Sequence, residues 1–188
     1  MPSLVGSEMC IRDRIKIMIE IRKAKSKDDY LEFVTFPFKL YSENKYWVPP
    51  ITKEELEVID EKKNPVFKNA DASFFLAYKN NKPVGRVAAM VNWIEVKQLK
   101  KKKVRFGWFD FIDDIEVSKA LLQKVNEFGK KHKLEFIEGP VGFSNLDKAG
   151  LLVYGFDEMN TMITQYNHPY YAKHLETLGY EKLAQWVE

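Results

Sequence analysis

The feature that most constrains the fold is a strand, a helix and a strand predicted in direct succession. Residues 104–112, VRFGWFDFI, form an apolar run of strand length, and residues 134–139, LEFIEG, form a second one. Between them, residues 116–132 predict an amphipathic helix, because apolar side chains recur at spacings of four, four and three: Val117, Leu121, Val125 and Phe128. A helix that joins two strands in this way makes them parallel, with a right-handed crossover.

The segments before this crossover predict antiparallel strands. Residues 74–79 and 84–93 are strand-like and flank the string NNKP, whose composition is typical of a tight turn. Upstream, Ile19 and Ile21 alternate with polar residues as in a half-buried strand. The predicted fold class is therefore α/β (α+β), a mixed sheet in which an antiparallel meander is followed by a parallel β-α-β crossover.

Two further helices are predicted from their end signals. Ser26 with Asp29 three residues later is a capping-box pattern, which opens a short helix. Pro37 is expected to end or bend this helix, because proline has no amide proton. The other helix covers residues 170–178 and stops at Gly179, a favourable residue just beyond a helix C-terminus.

Composition restricts the class of protein. The chain has 188 residues, of which 45% are hydrophobic and 30% charged, so it can form one compact core and is not intrinsically disordered. Its apolar stretches are shorter than the ~18 residues of a membrane-spanning helix. The net charge of +3 is too small to predict nucleic-acid binding. The single cysteine, Cys10, excludes an intramolecular disulfide and a cysteine-based zinc site, which suits the cytoplasm.

The two ends of the sequence carry separate signals. Residues 1–14, MPSLVGSEMCIRDR, lack the regions of a signal peptide and resemble a translated adaptor. We therefore expect residues 1–17 to be a non-native leader before a native start at Met18, and residues 18–188 to form one domain. Residues 180–188 predict another strand, inside which the sequence stops, so we expect a gene product truncated at its C-terminus.

The meander and crossover together resemble the GNAT superfamily of acyl-CoA-dependent N-acyltransferases. Six strings are similar to the YghO-like group, which is related to the bacterial ceramide synthases: FPFKLY, YWVPP, VGRVAA, RFGWFDFIDD, GFDEMNTM and PYYAKHLETLGYEK. The resemblance runs from about Met18 to the end and implies the N-terminal half of a longer protein. It implies acyl-CoA or acetyl-CoA as co-substrate without a metal, and a primary amine, for example a sphingoid-type long-chain amine, as acceptor.

The resemblance also implies a slot for the pantetheine arm of CoA. In this family, the two parallel strands separate, and backbone groups freed by the separation pair with the arm as an added strand would. The corresponding positions here are Phe111 and Ile112 on the first strand and Gly139 on the second. The pair Gly139-Pro140 ends strand pairing early, as such a gap requires.

The family's pyrophosphate pattern, Q/R-x-x-G-x-G/A, falls at the start of the crossover helix, where a helix N-terminus favours anions. The matching positions hold Asp113, Glu116 and Ser118, and Ser118 alone is suitably small. With Asp114, these carboxylates would repel a pyrophosphate. The alternative is that Asp113 or Asp114 simply caps a solvated helix, and that the chain is a non-catalytic GNAT-like module for binding or membrane docking.

Two residues are predicted to carry the proton transfers that an N-acyltransferase needs. Strand alternation places Asp110 on the face of Phe106, Trp108 and Ile112, where desolvation would raise its pKa toward that of a general base. The alternative is a structural ion pair with Arg86 or Arg105.

In this family, the tyrosine that acts as general acid lies four residues before the glycine of LGY. In this chain that position holds Leu175. Tyr171 lies one turn earlier on the same helical face and could protonate the departing thiolate. The alternative is a packing role. His168 and His174 could shuttle protons, although solvated or capping roles are the simpler interpretation.

The run KQLKKKKVR predicts a basic loop. Its lysines Lys100, Lys101, Lys102 and Lys103 could contact the anionic head groups of a membrane peripherally or an RNA backbone, whereas the alternative is a solvated hairpin loop. Nucleic acid is the least favoured partner, because only two aromatic residues near the run, Trp93 and Phe106, could stack on bases.

Overall fold

The computed structural model describes residues 18–144, 146–161 and 164–187; the predicted leader lies outside them. Eleven elements follow in chain order within this part of the chain: β1 Glu20–Lys23, α1 Lys27–Leu40, α2 Thr52–Val58, a 3-10 helix Pro65–Lys68, β2 Ala70–Lys79, β3 Lys82–Asn92, α3 Trp93–Lys97, β4 Lys103–Phe111, α4 Ile115–Lys131, β5 Phe136–Glu138 and α5 Tyr170–Thr177.

The strands form one five-stranded sheet in the order β1-β2-β3-β4-β5. Pairing is antiparallel from β1 to β4 and parallel between β4 and β5. The turn between β2 and β3 has Asn80 and Asn81 at φ angles of 52° and 58°, which asparagine tolerates and which suit a two-residue hairpin turn. The predicted mixed sheet, its tight turn and its crossover are confirmed.

Each face of the sheet is covered by helices. The four apolar residues that predicted the crossover helix are all buried on α4, in a core that also contains Tyr171 and Leu175 of α5. On the opposite face, Phe33 and Val34 of α1 pack with Phe74 of β2. Burial of one such side chain contributes about 1.5–3 kcal/mol, so α4 is held mainly by its apolar face.

The start of α1 is as predicted, whereas of the two effects expected of Pro37, that it ends the helix is wrong. Ser26 and Asp29 form the capping box. Pro37 lies inside α1, which continues to Leu40. Proline leaves the carbonyl four residues earlier, that of Phe33, without its helical donor. The Arg86 side chain donates to this oxygen at 2.8 Å, which compensates for the missing bond.

Three short helical segments were not predicted, because the sequence around them suggests irregular connections: α2, the 3-10 helix and α3. The predicted strand at the C-terminus is wrong for its described part, residues 180–187, which have no strand structure. Residues 181–187 are all exposed, and an apolar strand pattern forms a strand only where a neighbour supplies a hydrogen-bonding ladder.

A β-bulge in β4 changes the faces predicted for that strand. The register with β3 passes from Arg86↔Asp110 to Ala88↔Gly107, so that two residues of β4, Trp108 and Phe109, stand opposite one residue of β3. The φ angle of Trp108 is 46°. Simple alternation therefore fails, and Asp110 does not share a face with Phe106, whose ring lies 5.3 Å from that of Phe109 in the core under α4.

Candidate functional site

The parallel strands β4 and β5 stay together over only part of their length. Their ladder joins Lys103 to Arg105 with Phe136 to Glu138, and one more bond runs from the Val141 N–H to the Phe106 carbonyl at 2.8 Å. Val141 then bridges to Ala149 in the antiparallel sense, and the chain leaves β4. The last residues of β4 continue alone to Phe111, so a gap opens at the carboxyl end of the strand.

Gly139 lies at the closed base of this gap and does not line its open part. A Cβ atom at Gly139 would meet the Phe106 carbonyl oxygen at 2.4 Å, and one at Gly107 would meet the Val141 carbonyl oxygen at 2.5 Å. Both glycines let the two backbones approach each other closely. The ladder ends at Glu138, directly before Gly139-Pro140 as expected, and one backbone bond, from Val141 to Phe106, lies beyond this pair.

The backbone of Phe111 faces the open gap, and two tyrosines of α5 bind it. Its N–H donates to the Tyr171 hydroxyl at 3.0 Å. Its carbonyl accepts from the Tyr170 hydroxyl at 2.5 Å. The Phe111 ring also stacks on that of Tyr171, with 4.2 Å between centroids. An extended ligand pairing with Phe111 would have to replace both hydroxyls.

Ile112 does not face the gap, contrary to the prediction. Its N–H donates to the Val84 carbonyl on the β3 side at 3.0 Å. Its carbonyl accepts from the Asp114 N–H at 2.6 Å. Since both backbone groups are already bonded, Ile112 cannot pair with a CoA arm in this conformation.

Asp110 is the centre of a buried hydrogen-bonded cluster. Its Oδ2 is bound by Arg86, through Nε at 2.8 Å and Nη2 at 2.7 Å. Its Oδ1 accepts from the Tyr41 hydroxyl at 2.9 Å and from the Tyr171 hydroxyl at 3.4 Å. This arrangement matches the structural ion pair with Arg86 considered above, whereas Arg105 binds Glu95, at 2.6 Å.

Tyr41 and Tyr171, the two tyrosines of this cluster, keep their hydroxyl protons. Their hydroxyl oxygens lie 3.0 Å apart. Burial, followed by the negative charge of Asp110, raises the pKa of Tyr41 and of Tyr171 well above their ordinary values. Burial also raises the pKa of Tyr170. The cluster therefore presents neutral hydroxyl groups to the end of β4 at physiological pH.

The N-terminus of α4, where the family's pyrophosphate pattern falls, is capped from within. Asp114 is the N-cap and accepts from the Glu116 N–H at 3.0 Å, while its carbonyl accepts from the amides of Val117 and Ser118. Burial acts to raise the pKa of Asp114, but hydrogen bonds from Lys79 and Glu116 hold it below its ordinary value. The amides of residues 116–118 therefore already have acceptors.

Ser118 is fully buried beside a histidine. Its hydroxyl donates to the Ile115 carbonyl at 3.0 Å and lies 3.0 Å from His174 Nδ1. His174 Nε2 lies 3.0 Å from Oδ1 of Asp113, which is exposed. The pyrophosphate role of Ser118 stays a prediction, but its side chain is turned toward α5 in this conformation.

Most of the chain is similar in sequence to two curated proteins, each of which is longer. Protein YghO of Escherichia coli (strain K12) is 31% identical over 172 residues, which cover 89% of this chain and 44% of YghO. The bacterial ceramide synthase of Caulobacter vibrioides is 24% identical over 165 residues, 87% of this chain and 43% of that protein. The chain spans less than half of the length of these relatives. No family model matches it.

Solved structures share the architecture. A tandem GNAT protein from the clavulanic acid biosynthesis pathway superposes with a TM-score of 0.55 at 11% identity, over 86% of this chain and 43% of that one. A predicted acetyltransferase from Clostridium acetobutylicum, solved with acetyl-CoA, gives 0.54 at 14% identity, over 91% and 95%. The chain is a GNAT-fold homologue of YghO and the bacterial ceramide synthase.

The basic run of this GNAT-fold domain is only partly available to a partner. Lys103 is buried and pairs with Glu95 at 3.1 Å and Glu138 at 2.5 Å. Its predicted contact with a membrane is therefore wrong. Lys102 is exposed and pairs with Glu135 at 2.7 Å. Lys100 and Lys101 are exposed.

The sequence analysis does not predict three residues of the candidate site in this GNAT-fold domain: Tyr41, Tyr170 and Phe33. Tyr41 lies just after the helix containing Pro37, and Tyr170 is adjacent to the predicted Tyr171. Pro37 was the usable signal, because it implies a carbonyl at Phe33 that needs another donor.

Two further observations concern residues 18–144, 146–161 and 164–187 of the GNAT-fold domain. Among these residues, none of the helices has the length and apolar character needed to cross a bilayer. The same residues contain no group of three or more His, Cys, Asp or Glu that could hold a metal ion.

Proposed function

We propose that the chain is the GNAT unit of an acyl-CoA-dependent N-acyltransferase. The acceptor in this proposal is a primary amine, and a sphingoid-type long-chain amine is the specific candidate, supported by the homologue named bacterial ceramide synthase. The observation that carries the proposal is the gap beyond Val141, where Phe111 presents both backbone groups to side chains and not to a strand. Such an edge can accept an extended arm by strand addition.

The reaction assigns a specific task to this edge. The amine nitrogen attacks the thioester carbonyl carbon, the C–N bond forms, and the C–S bond breaks. The amine loses one proton and the departing thiolate gains one. The Phe111 N–H donates to the Tyr171 hydroxyl oxygen. A thioester carbonyl oxygen that took the place of this hydroxyl would accept the same hydrogen bond while negative charge develops on it.

For that exchange, the hydroxyls of Tyr170 and Tyr171 must move from Phe111. Tyr171 would then lie beside the leaving thiolate as the candidate acid. Asp110 fits a positioning role better than that of a base, because Arg86, Tyr41 and Tyr171 already bind its two oxygens. In this proposal the proton that the amine loses passes to solvent water, because the oxygens of Asp110 are already bound.

A second candidate is a non-catalytic GNAT unit, which binds or supports without carrying out transfer. It is favoured by the same tyrosines, because they fill the place of the arm. Tyr171, whose pKa is raised, is also a weaker acid than an ordinary thiol, whose pKa is about 8.5, so its proton transfer to the departing thiolate is unfavourable. Acidic residues at the start of α4 add repulsion toward a pyrophosphate.

Two measurements on the same protein separate these candidates. Release of free thiol from acyl-CoA is followed with sphinganine, with a short primary amine and with no amine, and calorimetry measures acyl-CoA binding. The variants are Tyr171→Phe and, as a matched control, Tyr154→Phe, which removes a hydroxyl from a residue that is 90% exposed.

The first candidate predicts thiol release that depends on the amine, that is faster with sphinganine, and that falls in Tyr171→Phe but not in Tyr154→Phe. Equal rates with both amines would remove the sphingoid assignment alone. Binding of acyl-CoA without amine-dependent release supports the non-catalytic unit. Absence of both binding and release would contradict an acyl-CoA function for this chain.

A further inference from the structure

The end of the sheet opposite the Phe111 gap carries a concentration of exposed lysines. β4 and β5 both start there, and α3 and the C-terminal end of α4 lie beside them, joined by a ring contact of 5.6 Å between Trp93 and His132. The exposed lysines at this end are Lys97, Lys100, Lys101, Lys102, Lys130, Lys131 and Lys133. We call these seven side chains, with the apolar residues among them, the basic end surface.

The acidic residues at this end already have partners. Buried Glu95 is bound by Arg105 at 2.6 Å and by Lys103 at 3.1 Å. Glu138 is bound by Lys103 at 2.5 Å, and Glu135 by Lys102 at 2.7 Å. Asp71 accepts from the Trp93 indole at 2.9 Å. Because these ion pairs neutralise the glutamates locally, most of the exposed lysine charge remains in excess.

Apolar side chains are exposed among these lysines. Ile94 is 40% exposed, Leu99 58% and Phe136 49%. Aliphatic and aromatic groups surrounded by lysines are typical of surfaces that enter the head-group region of a bilayer. A nucleic acid would be bound instead by lysines together with flat rings for base stacking, and two of these three exposed groups are aliphatic.

We propose that the basic end surface docks on a bilayer that contains anionic lipids. Lysines near such a bilayer are attracted by its negative surface potential, and the apolar side chains gain by leaving water. The surface is separated from Phe111 by the length of β4, roughly 25 Å. It therefore anchors the domain without lining the gap, and the inference is independent of the proposed transferase activity.

Flotation with vesicles tests this inference on the chain as it is. Vesicles of phosphatidylcholine with phosphatidylglycerol are compared with vesicles of phosphatidylcholine alone, at low and high salt. One variant replaces Lys97, Lys100 and Lys101 by glutamine. Its control replaces Lys39, Lys119 and Lys173 by glutamine, which changes the net charge equally at exposed positions elsewhere.

We expect binding to anionic vesicles only, weakened by salt. The first triple variant should bind on the order of 100-fold more weakly, from about fivefold for each lysine, and the control within a few-fold of the wild type. Leu99→Gln, which keeps the charge, should also weaken binding. The proposal would be overturned if both triple variants lost the same vesicle affinity, or if the protein bound neutral vesicles. It would also be overturned if the protein bound a single-stranded RNA more tightly than anionic vesicles and Leu99→Gln left this RNA binding unchanged.

Discussion

The Tyr171 hydroxyl accepts a hydrogen bond from the backbone N–H of Phe111, with 3.0 Å between oxygen and nitrogen. Tyr171 is fully buried, and its hydroxyl also lies 3.0 Å from that of Tyr41. One side chain of α5 therefore completes the hydrogen bonding of the last residue of β4. The stability of the fold and the accessibility of the gap therefore both depend on the Tyr171 hydroxyl oxygen.

Removal of this hydroxyl should destabilise the protein. In Tyr171→Phe, the buried N–H of Phe111 loses its acceptor and Tyr41 loses a partner, which we expect to cost about 1–3 kcal/mol. Urea denaturation of both proteins measures the difference. Tyr154→Phe should stay within about 0.5 kcal/mol of the wild type. Equal stability of Tyr171→Phe and the wild type would mean that the N–H has another acceptor.

Removal of the neighbouring hydroxyl should affect ligand binding instead. Tyr170→Phe frees the Phe111 carbonyl, so an arm that pairs with this oxygen no longer competes with a side chain. A net hydrogen bond of about 0.5–1.5 kcal/mol corresponds to acyl-CoA binding that is about 2–10 times tighter. Calorimetric titration measures this affinity. Unchanged or weaker binding would indicate that the arm does not use this carbonyl.

Removing one charge of the ion pair between Arg86 and Asp110 should destabilise the protein more than removing both charges. Arg86→Met leaves a buried carboxylate without its cation and should cost about 3–5 kcal/mol. The double variant Arg86→Met with Asp110→Asn should be more stable than Arg86→Met alone, because no buried charge is left unpaired. Urea denaturation gives both values. A double variant no more stable than the single one would assign the loss to packing or to the Phe33 carbonyl.

His168 should make stability depend on pH. Its ring lies 4.8 Å from that of Tyr41, and burial holds its pKa below the ordinary value despite a hydrogen bond to the Leu40 backbone. Between that lowered pKa and about 6.5, the unfolded chain binds more protons than the folded one, so stability rises with pH and falls on acidification.

The corresponding test compares urea denaturation at about pH 7.5 and about pH 5.5. His168→Gln should lose less stability on acidification than the wild type does. The same loss in His168→Gln as in the wild type would exclude His168 as the origin.

The sheet could be predicted because its signals are local. Each signal depends on residues close together in the chain. Examples are the apolar spacing in α4, the NNKP turn, and Gly179 at the end of α5, whose φ is 85°. The bulge at Trp108 could not be predicted, since it depends on register with β3. For this reason, the prediction that Asp110 shares a face with Phe106 is wrong.

The site was predicted only in outline, because its contacts join distant parts of the chain. The structure brings the predicted residues Tyr171 and Asp110 together, with 3.4 Å between hydroxyl and carboxylate, but the cluster also needs Arg86 from β3 and Tyr41 after α1. Arg86 reaches the carbonyl left free by Pro37, a link of 53 positions that no local pattern contains.

The most direct test of the account is a titration of the 15N-labelled protein with acyl-CoA, followed at the backbone amide of Phe111 by NMR. If the acyl-CoA arm replaces the tyrosine hydroxyls, the Phe111 resonance should shift and saturate with the binding isotherm, as its hydrogen-bond acceptor changes. A Phe111 resonance that stays in place while acyl-CoA saturates the protein would contradict the proposed slot.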